Sequence, residues 1–224
     1  MRALLSQTSF LPKAFEDGST CVLPISVGWD YHEGEAFQAT IDLVRQRFSF
    51  CRIVVCDTLQ RHSLKFASGS LKSEGEVSDR SLRDGDAWLE RNKRYLQILS
   101  IPHIMTRWSQ YLNEPSYQYY RHKLDALLQN NKELNELVVR SAEAVYNKFV
   151  RSGRIPEDLA LRTAFLEASV EYQREEIAVV MSWENMREDI LLYPKNLGDG
   201  MKAVMNSIWG RERSFLQPLQ IKFV

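Results

Sequence analysis

Excess charge of either sign is missing from this chain, in which 29 Lys+Arg face 29 Asp+Glu. No global field announces a polyanionic partner, so any nucleic-acid surface has to be a local patch. Cysteine is scarce as well. Cys21, Cys51 and Cys56 are an odd number without metal-ligand spacing, in or beside predicted strands, which marks them as reduced packing residues. No apolar stretch approaches the roughly 18–20 residues that span a bilayer. The opening Met1-Arg-Ala-Leu-Leu-Ser-Gln-Thr8 has no continuous apolar core of a secretion signal. A soluble, cytoplasmic protein with no membrane partner is expected. Neither Gly-x-x-x-x-Gly-Lys-Ser/Thr nor Gly-x-Gly-x-x-Gly occurs, so the usual glycine cradles for nucleotide phosphates are lacking and ATP is not an expected substrate. His32, His62, His103 and His122 have no pairwise spacing suited to a metal. They read as ordinary polar or half-buried residues, and no metal or cofactor is expected.

What is present suits one globular unit. The 224 residues, 44% hydrophobic and 11% aromatic, suffice for a full core in a single domain, 1–224. Cys21 to Val27 reads as a strand. Glu35 to Phe48 carries Phe37, Ile41, Val44 and Phe48 as one helical stripe, and Arg52-Ile-Val-Val-Cys-Asp57 follows as a buried strand, which completes a βαβ unit. The Ser/Gly/Lys/Glu-rich stretch 68–79 reads as a loop, after which Asp86 is expected to cap a helix containing Trp88, Leu89, Leu96 and Leu99. Ile101 to Met105 reads as a third strand. From Pro115 the pattern turns helical, with Leu134, Val138, Val145 and Phe149 in register until Gly153, and Pro156 in the first turn of the next helix. Ile190 to Tyr193 and Ile221 to Val224 complete the strands around a helix over Gly200 to Trp209. The expected fold class is α/β, a Rossmann-like parallel sheet with helices on both faces and a helical insertion near 115–150.

Two constellations bear on chemistry. In Pro24-Ile-Ser26-Val-Gly28 a strand breaks into a glycine turn, where α/β folds place nucleophiles above the sheet edge. A turn or helix-cap hydrogen bond is the competing reading of Ser26. A serine hydrolase of the nucleophile-elbow type needs its histidine last, and His122 precedes the late polar residues. The second constellation is Tyr172-Gln-Arg-Glu-Glu176 with Tyr193. Tyr172 and Glu176 share a helix face, so a phenol and a carboxylate can converge on an ammonium. A solvated helix face gives the same spacing, and Tyr193 at a strand end also fits a core position.

The joint order of these segments resembles the tRNA-dependent cyclodipeptide synthases. That family carries its nucleophilic serine in a Gly-x-Ser-x-Gly-Asn stretch, followed by a helix and a strand ending Val-Asp-Thr. Here Pro24-Ile-Ser-Val-Gly-Trp29 leads without a gap to Val54-Val-Cys-Asp57-Thr58, then Asn113-Glu-Pro-Ser-Tyr117, the Tyr172/Glu176 pair and Tyr193. The likeness runs from about 20 to 210. Pro24 replaces the usual glycine and Trp29 the asparagine, and Tyr193 precedes Pro194. These features resemble the subfamily that lacks the asparagine and pairs its late tyrosine with proline.

The resemblance implies a fold similar to class I aminoacyl-tRNA synthetase catalytic domains and an enzyme using two aminoacyl-tRNAs per product. Ser26 would take the first aminoacyl group as an ester, and Glu176 and Tyr172 would hold its amino group. A second aminoacyl-tRNA would then give a dipeptidyl-enzyme whose free amine closes on the seryl ester, with Tyr193 moving a proton. Substrates that arrive as activated esters require neither ATP nor metal. By ungapped extension, Val22, Pro24, Val54, Cys56, Tyr117, Val179 and Leu191 would line the aminoacyl pocket, although strand positions of this kind are also ordinary core. Arg80, Arg83, Arg91 and Arg94, with Lys93, would form a tRNA-binding stripe on a helix continuous from 80 to 94, at about 100° per residue. Gly85 is expected to threaten that continuity. A non-catalytic tRNA-binding module with a synthetase-like sheet, and a small serine acyltransferase, are the competing functional classes.

Overall fold

A computed structural model describes residues 1–6, 18–66, 72–183, 189–195, 197–209 and 217–224. Six strands, β1 (Ala3–Ser6), β2 (Ser19–Ile25), β3 (Phe48–Val55), β4 (His103–Arg107), β5 (Ile190–Tyr193) and β6 (Gln217–Phe223), form one sheet in the order β1-β6-β5-β2-β3-β4. All neighbours are parallel except β1, which pairs antiparallel with β6 on the edge. The sheet is therefore mixed rather than wholly parallel. Chain order runs outward in one direction from β2 to β3 and β4, then returns to β5 and β6 on the other side. The β2/β5 boundary is thus the topological switch point, where open α/β sheets bind ligands beyond the strands' carboxyl ends.

Strand alternation divides the interior into two layers. Cys21, Leu23, Ile25, Ile53, Val55, Ile190 and Leu192 face one cluster with Phe37, Ile41, Val44, Trp88 and Tyr95. Those aromatic and aliphatic partners come from α1 (Gly34–Arg47) and α3 (Glu74–Gln97). Val22, Val54, Cys56 and Leu191 face the opposite cluster, with Trp108, Tyr111, Leu124, Val138, Val179 and Val204. That layer is built by α4 (Trp108–Leu112), α5 (Pro115–Asn130), α6 (Lys132–Arg151), α7 (Leu159–Ser182) and α8 (Asp199–Trp209). The last turns of α7 are apolar all round because they lie inside it, with Ile177 to Met181 buried. The remaining helix, α2 (Arg61–Leu64), links β3 to α3.

Several boundaries differ from expectation, each for a local reason. Helix α3 begins at Glu74, inside the stretch read as a loop, because Ser73 and Glu76 form a capping box. Asp86 is mid-helix and caps nothing; its carboxylate pairs with Arg107. Gly85 does not break α3. A Cβ there would meet Asp57 Oδ2 at 2.6 Å and Arg107 Nη2 at 2.7 Å, so glycine lets the helix approach the buried Asp57–Arg107 pair. The buried face of α6 is Leu134, Val138, Ala142 and Tyr146, and Val145 is exposed. Helix α7 starts after Pro156, with Asp158 accepting the Leu161 N–H at 2.8 Å. Strand β4 lies two residues later than read, and β6 starts earlier, at Gln217. Residues 68–71 of the expected loop lie outside the described residues.

Candidate active site

Alternation carries Ser26, one residue beyond β2, onto the same face as Val22 and Cys56, at the switch point. The β2–β5 ladder stops at Val22–Leu191 while the β2–β3 ladder continues to Ile25–Val55. Pro24, which has no N–H to donate, lies where β2 and β5 have separated. In that crevice the Ser26 Oγ and Tyr193 Oη are 2.6 Å apart, and Tyr193 Oη is 3.2 Å from Tyr31 Oη. Ser26 is buried and Tyr193 half-buried. Burial drives the Tyr193 phenol well above its ordinary range, with Tyr31 adding to the rise and the Ser26 hydroxyl opposing it. Tyr193 therefore keeps its proton at neutral pH.

Gly28, with φ of 83°, turns the chain after Ser26 into a 3-10 turn over Asp30–His32. The turn brings His32 back beneath the serine. The Ser26 N–H donates to His32 Nδ1 at 2.9 Å, and Trp88 Nε1 donates to the His32 carbonyl at 2.8 Å. Burial pulls the His32 midpoint down to about 3, and the peptide N–H occupies the lone pair a second ring proton would need. His32 is a neutral ring with its proton on Nε2. It therefore holds the Ser26 backbone and is not a base. The Tyr193 ring packs on it at 5.7 Å.

Tyr172 and Glu176 project from α7 within electrostatic range of Tyr31, Cys56 and Tyr193. Burial raises the Tyr172 phenol well above its usual range, followed by the fields of Glu176, Tyr193, Cys56 and Tyr31. Glu176 is partly accessible, yet the protein around its carboxyl raises its midpoint by desolvation to about 7. At neutral pH it is divided between acid and anion. Its neighbour Glu175 enters a buried cluster. Arg61 Nη1 and Trp108 Nε1 donate to Glu175 Oε1 at 2.8 and 2.9 Å, and His62 Nε2 lies 3.3 Å from Oε2. Desolvation opposes ionisation of Glu175, but His62 and Arg61 prevail and hold its midpoint at about 2. This anchored carboxylate ties α7 to α2 and α4.

The other expected site residues fall into two groups. Val22, Val54, Cys56, Tyr117, Val179 and Leu191 join one buried cluster under the crevice, with Pro24 buried beside them. Helix α3 is continuous across Arg80, Arg83, Arg91, Lys93 and Arg94. Its basic groups are largely compensated: Arg80 pairs with Asp84, Arg91 with Glu33 and Lys93 with Glu90, and Arg94 lies over the Tyr95 ring. Sequence reasoning missed Tyr31 and the roles of His32 and Glu175. The available signal was the Tyr31-His32 pair immediately after the Gly28 turn. Among the described residues no cluster of His, Cys, Asp or Glu suits a metal ion, and no helix is long and apolar enough to cross a membrane.

No family model matches the sequence, and no curated protein matches it either. Solved structures do. A CDPS, or cyclodipeptide synthase, from Fluoribacter dumoffii superposes with a TM-score of 0.88 at 25% identity, over 100% of this chain and 98% of that one. The chain has the cyclodipeptide synthase fold. The cyclodipeptide synthase from Candidatus Glomeribacter gigasporarum, solved bound to Phe-tRNAPhe, matches with a TM-score of 0.69 at 17% identity, over 93% and 89% of the two chains. A Mycobacterium tuberculosis protein, whose structure relates cyclodipeptide synthetases to type I tRNA synthetases, matches at 0.62 and 12% identity, over 93% and 87%. These cyclodipeptide synthases are enzymes, and the expected kinship of the sheet with class I synthetases agrees with them.

Proposed function

We propose that this chain is a cyclodipeptide synthase that joins the aminoacyl groups of two aminoacyl-tRNAs through esters on Ser26. One observation carries the reading: the 2.6 Å contact of Ser26 Oγ with Tyr193 Oη at the switch point, within the field of a carboxyl titrating near neutrality. In the first step Oγ attacks the ester carbonyl, a seryl ester forms, the bond to the tRNA ribose oxygen breaks, and the serine proton ends on that oxygen. Neutral His32 is not available to take it; a vicinal ribose hydroxyl is. Ionised Glu176, with the Tyr172 hydroxyl, holds the ammonium of the bound aminoacyl group. With its midpoint at about 7, Glu176 is also matched to remove a proton so that the amine becomes nucleophilic.

That amine attacks the second tRNA ester, an amide forms, and the second tRNA leaves a dipeptidyl group on Ser26. The new terminal amine closes on the seryl ester and returns a proton to Oγ through Tyr193, which releases the diketopiperazine. Trp29 and the Tyr193-Pro194 pair support placement in the subfamily without asparagine. Residues 1–224 act as one cytoplasmic catalytic domain with the helical insertion near 115–150. Incubation with a labelled pool of charged tRNAs tests the reading by intact-protein and product mass spectrometry. Wild type should show an aminoacyl adduct at Ser26 and a cyclic product, whereas Ser26→Ala should bind tRNA and give neither. Bound tRNA with no adduct on wild type would make the chain a binding module instead.

A further inference from the structure

The cations of α3 are mostly neutralised by acids on the protein, and a second cationic group is not so paired among the described residues. Lys195 Nζ lies 4.7 Å from the centre of the Trp29 ring and 5.0 Å from that of Tyr31, and Lys148 Nζ lies 5.9 Å from Trp29. Arg154 sits over Phe149 at 5.4 Å. All three cations are exposed, and none has an acidic partner among the described residues. Lys148, at the end of α6, is favoured there by the helix dipole. Lys195 and Arg154 have no such compensation, and Lys148 and Lys195 repel one another across one indole. Trp29 stacks on Tyr31 at 5.7 Å with ring planes 22° apart, and the Tyr31 hydroxyl reaches Tyr193. The cationic cluster is thus one ring away from the reacting hydroxyls.

Beside it opens a cavity of about 560 Å³, within the range of small-ligand sites. Trp29, Phe66 and Phe149 line it with Arg154, with the ion-paired Arg80, Asp84 and Arg91, and with Asp57. Aromatic walls beside cations that have no acidic partner among the described residues are the elements that hold a single-stranded nucleotide, by stacking and phosphate contact.

We infer that Trp29, Lys148, Arg154 and Lys195 seat the 3′-terminal nucleotides of tRNA, with the terminal base in the cavity walled by Trp29, Phe66 and Phe149. The inference rests on the proposed use of aminoacyl-tRNA. An ester carbonyl at Ser26 is carried on the terminal ribose, so that nucleotide and its phosphate must lie within one nucleotide's length of the serine. Trp29 and Tyr31 occupy this radius. Helix α3 would contact more distant phosphates.

The test compares binding of intact uncharged tRNA with tRNA lacking its terminal nucleotide, across a salt series. Wild type should prefer intact tRNA by about tenfold, since one stacked base is worth roughly 1–3 kcal/mol. The double variant Lys148→Glu/Lys195→Glu should lose most of that preference. Its slope of log affinity against log salt should flatten by about 1, as for one or two phosphate contacts to a single strand. Trp29→Ala should lose the preference and keep the salt slope. All of these side chains are at least partly exposed, and melting temperatures will verify that the variants fold. Equal affinity of wild type for the two tRNAs, or an unchanged preference in the double variant, would overturn the seat. A wild type that binds no tRNA would instead remove the functional reading.

Discussion

Replacing Glu176 with Gln removes a carboxyl whose midpoint the fold holds at about 7, against 4.5 for a solvated glutamate. The folded state therefore binds this proton more tightly than the unfolded chain does. Below pH 4.5 both states are protonated and the residue does not bias folding. Between pH 4.5 and about 7 the unfolded chain ionises first, so stability falls as pH rises and the loss is complete above the folded midpoint. At about 1.4 kcal/mol for each pH unit between the midpoints, the cost approaches ~3 kcal/mol. Glu176 is partly accessible from the crevice, so solvent lowers this to about 2–3 kcal/mol. Urea unfolding at a series of pH values should give coincident stabilities for wild type and Glu176→Gln near pH 4.5. At pH 8 the variant should be more stable by that amount, while product formation falls. A variant less stable than wild type at pH 8 would show that the carboxylate is held by favourable partners, and would refute both the desolvation argument and its use as an ammonium anchor.

Two further substitutions probe the support of Ser26. His32→Leu leaves the buried Ser26 N–H without an acceptor, which should cost about 1–3 kcal/mol in urea unfolding and slow acylation of Ser26 by about 100-fold through misplacement. His32→Asn, whose amide oxygen falls near the position of Nδ1, should recover most of both; equal rates for Leu and Asn would dismiss the hydrogen bond as the cause. Tyr193→Phe removes the hydroxyl within reach of Ser26 and Tyr31, so aminoacyl- or dipeptidyl-enzyme should accumulate in intact-protein mass spectra while cyclic product declines. Undiminished product would exclude proton transfer by Tyr193.

The central strands and the position of Ser26 were legible because each depends on a short local pattern. A run of apolar residues such as Ile53-Val54-Val55 has to be covered on both faces, and a glycine turn has to follow the strand at Val27-Gly28. The Tyr172/Glu176 pair was legible as a spacing, but only the fold brings it within electrostatic range of Tyr193. Helix α3 was misread because Asp86 resembles a cap in sequence, whereas the carboxylate serves Arg107, a residue brought there by β4. Strand β1 was missed because Ala3–Ser6 offers four residues with no pattern of their own, and its partner is at the other end of the chain. His32 was underrated for a similar reason. A single histidine reads as an ordinary polar side chain until the turn at Gly28 places its ring under the Ser26 amide.

The division of the interior by the sheet separates two kinds of adjustment. Even-numbered residues of β2 and β3, such as Val22 and Val54, reach the crevice layer, while their odd-numbered neighbours Leu23 and Ile53 support the α1/α3 layer. Recasting the crevice for a different side chain thus requires changes at alternate positions only. The opposite half can remain untouched and supply the rigidity against which a new specificity is shaped.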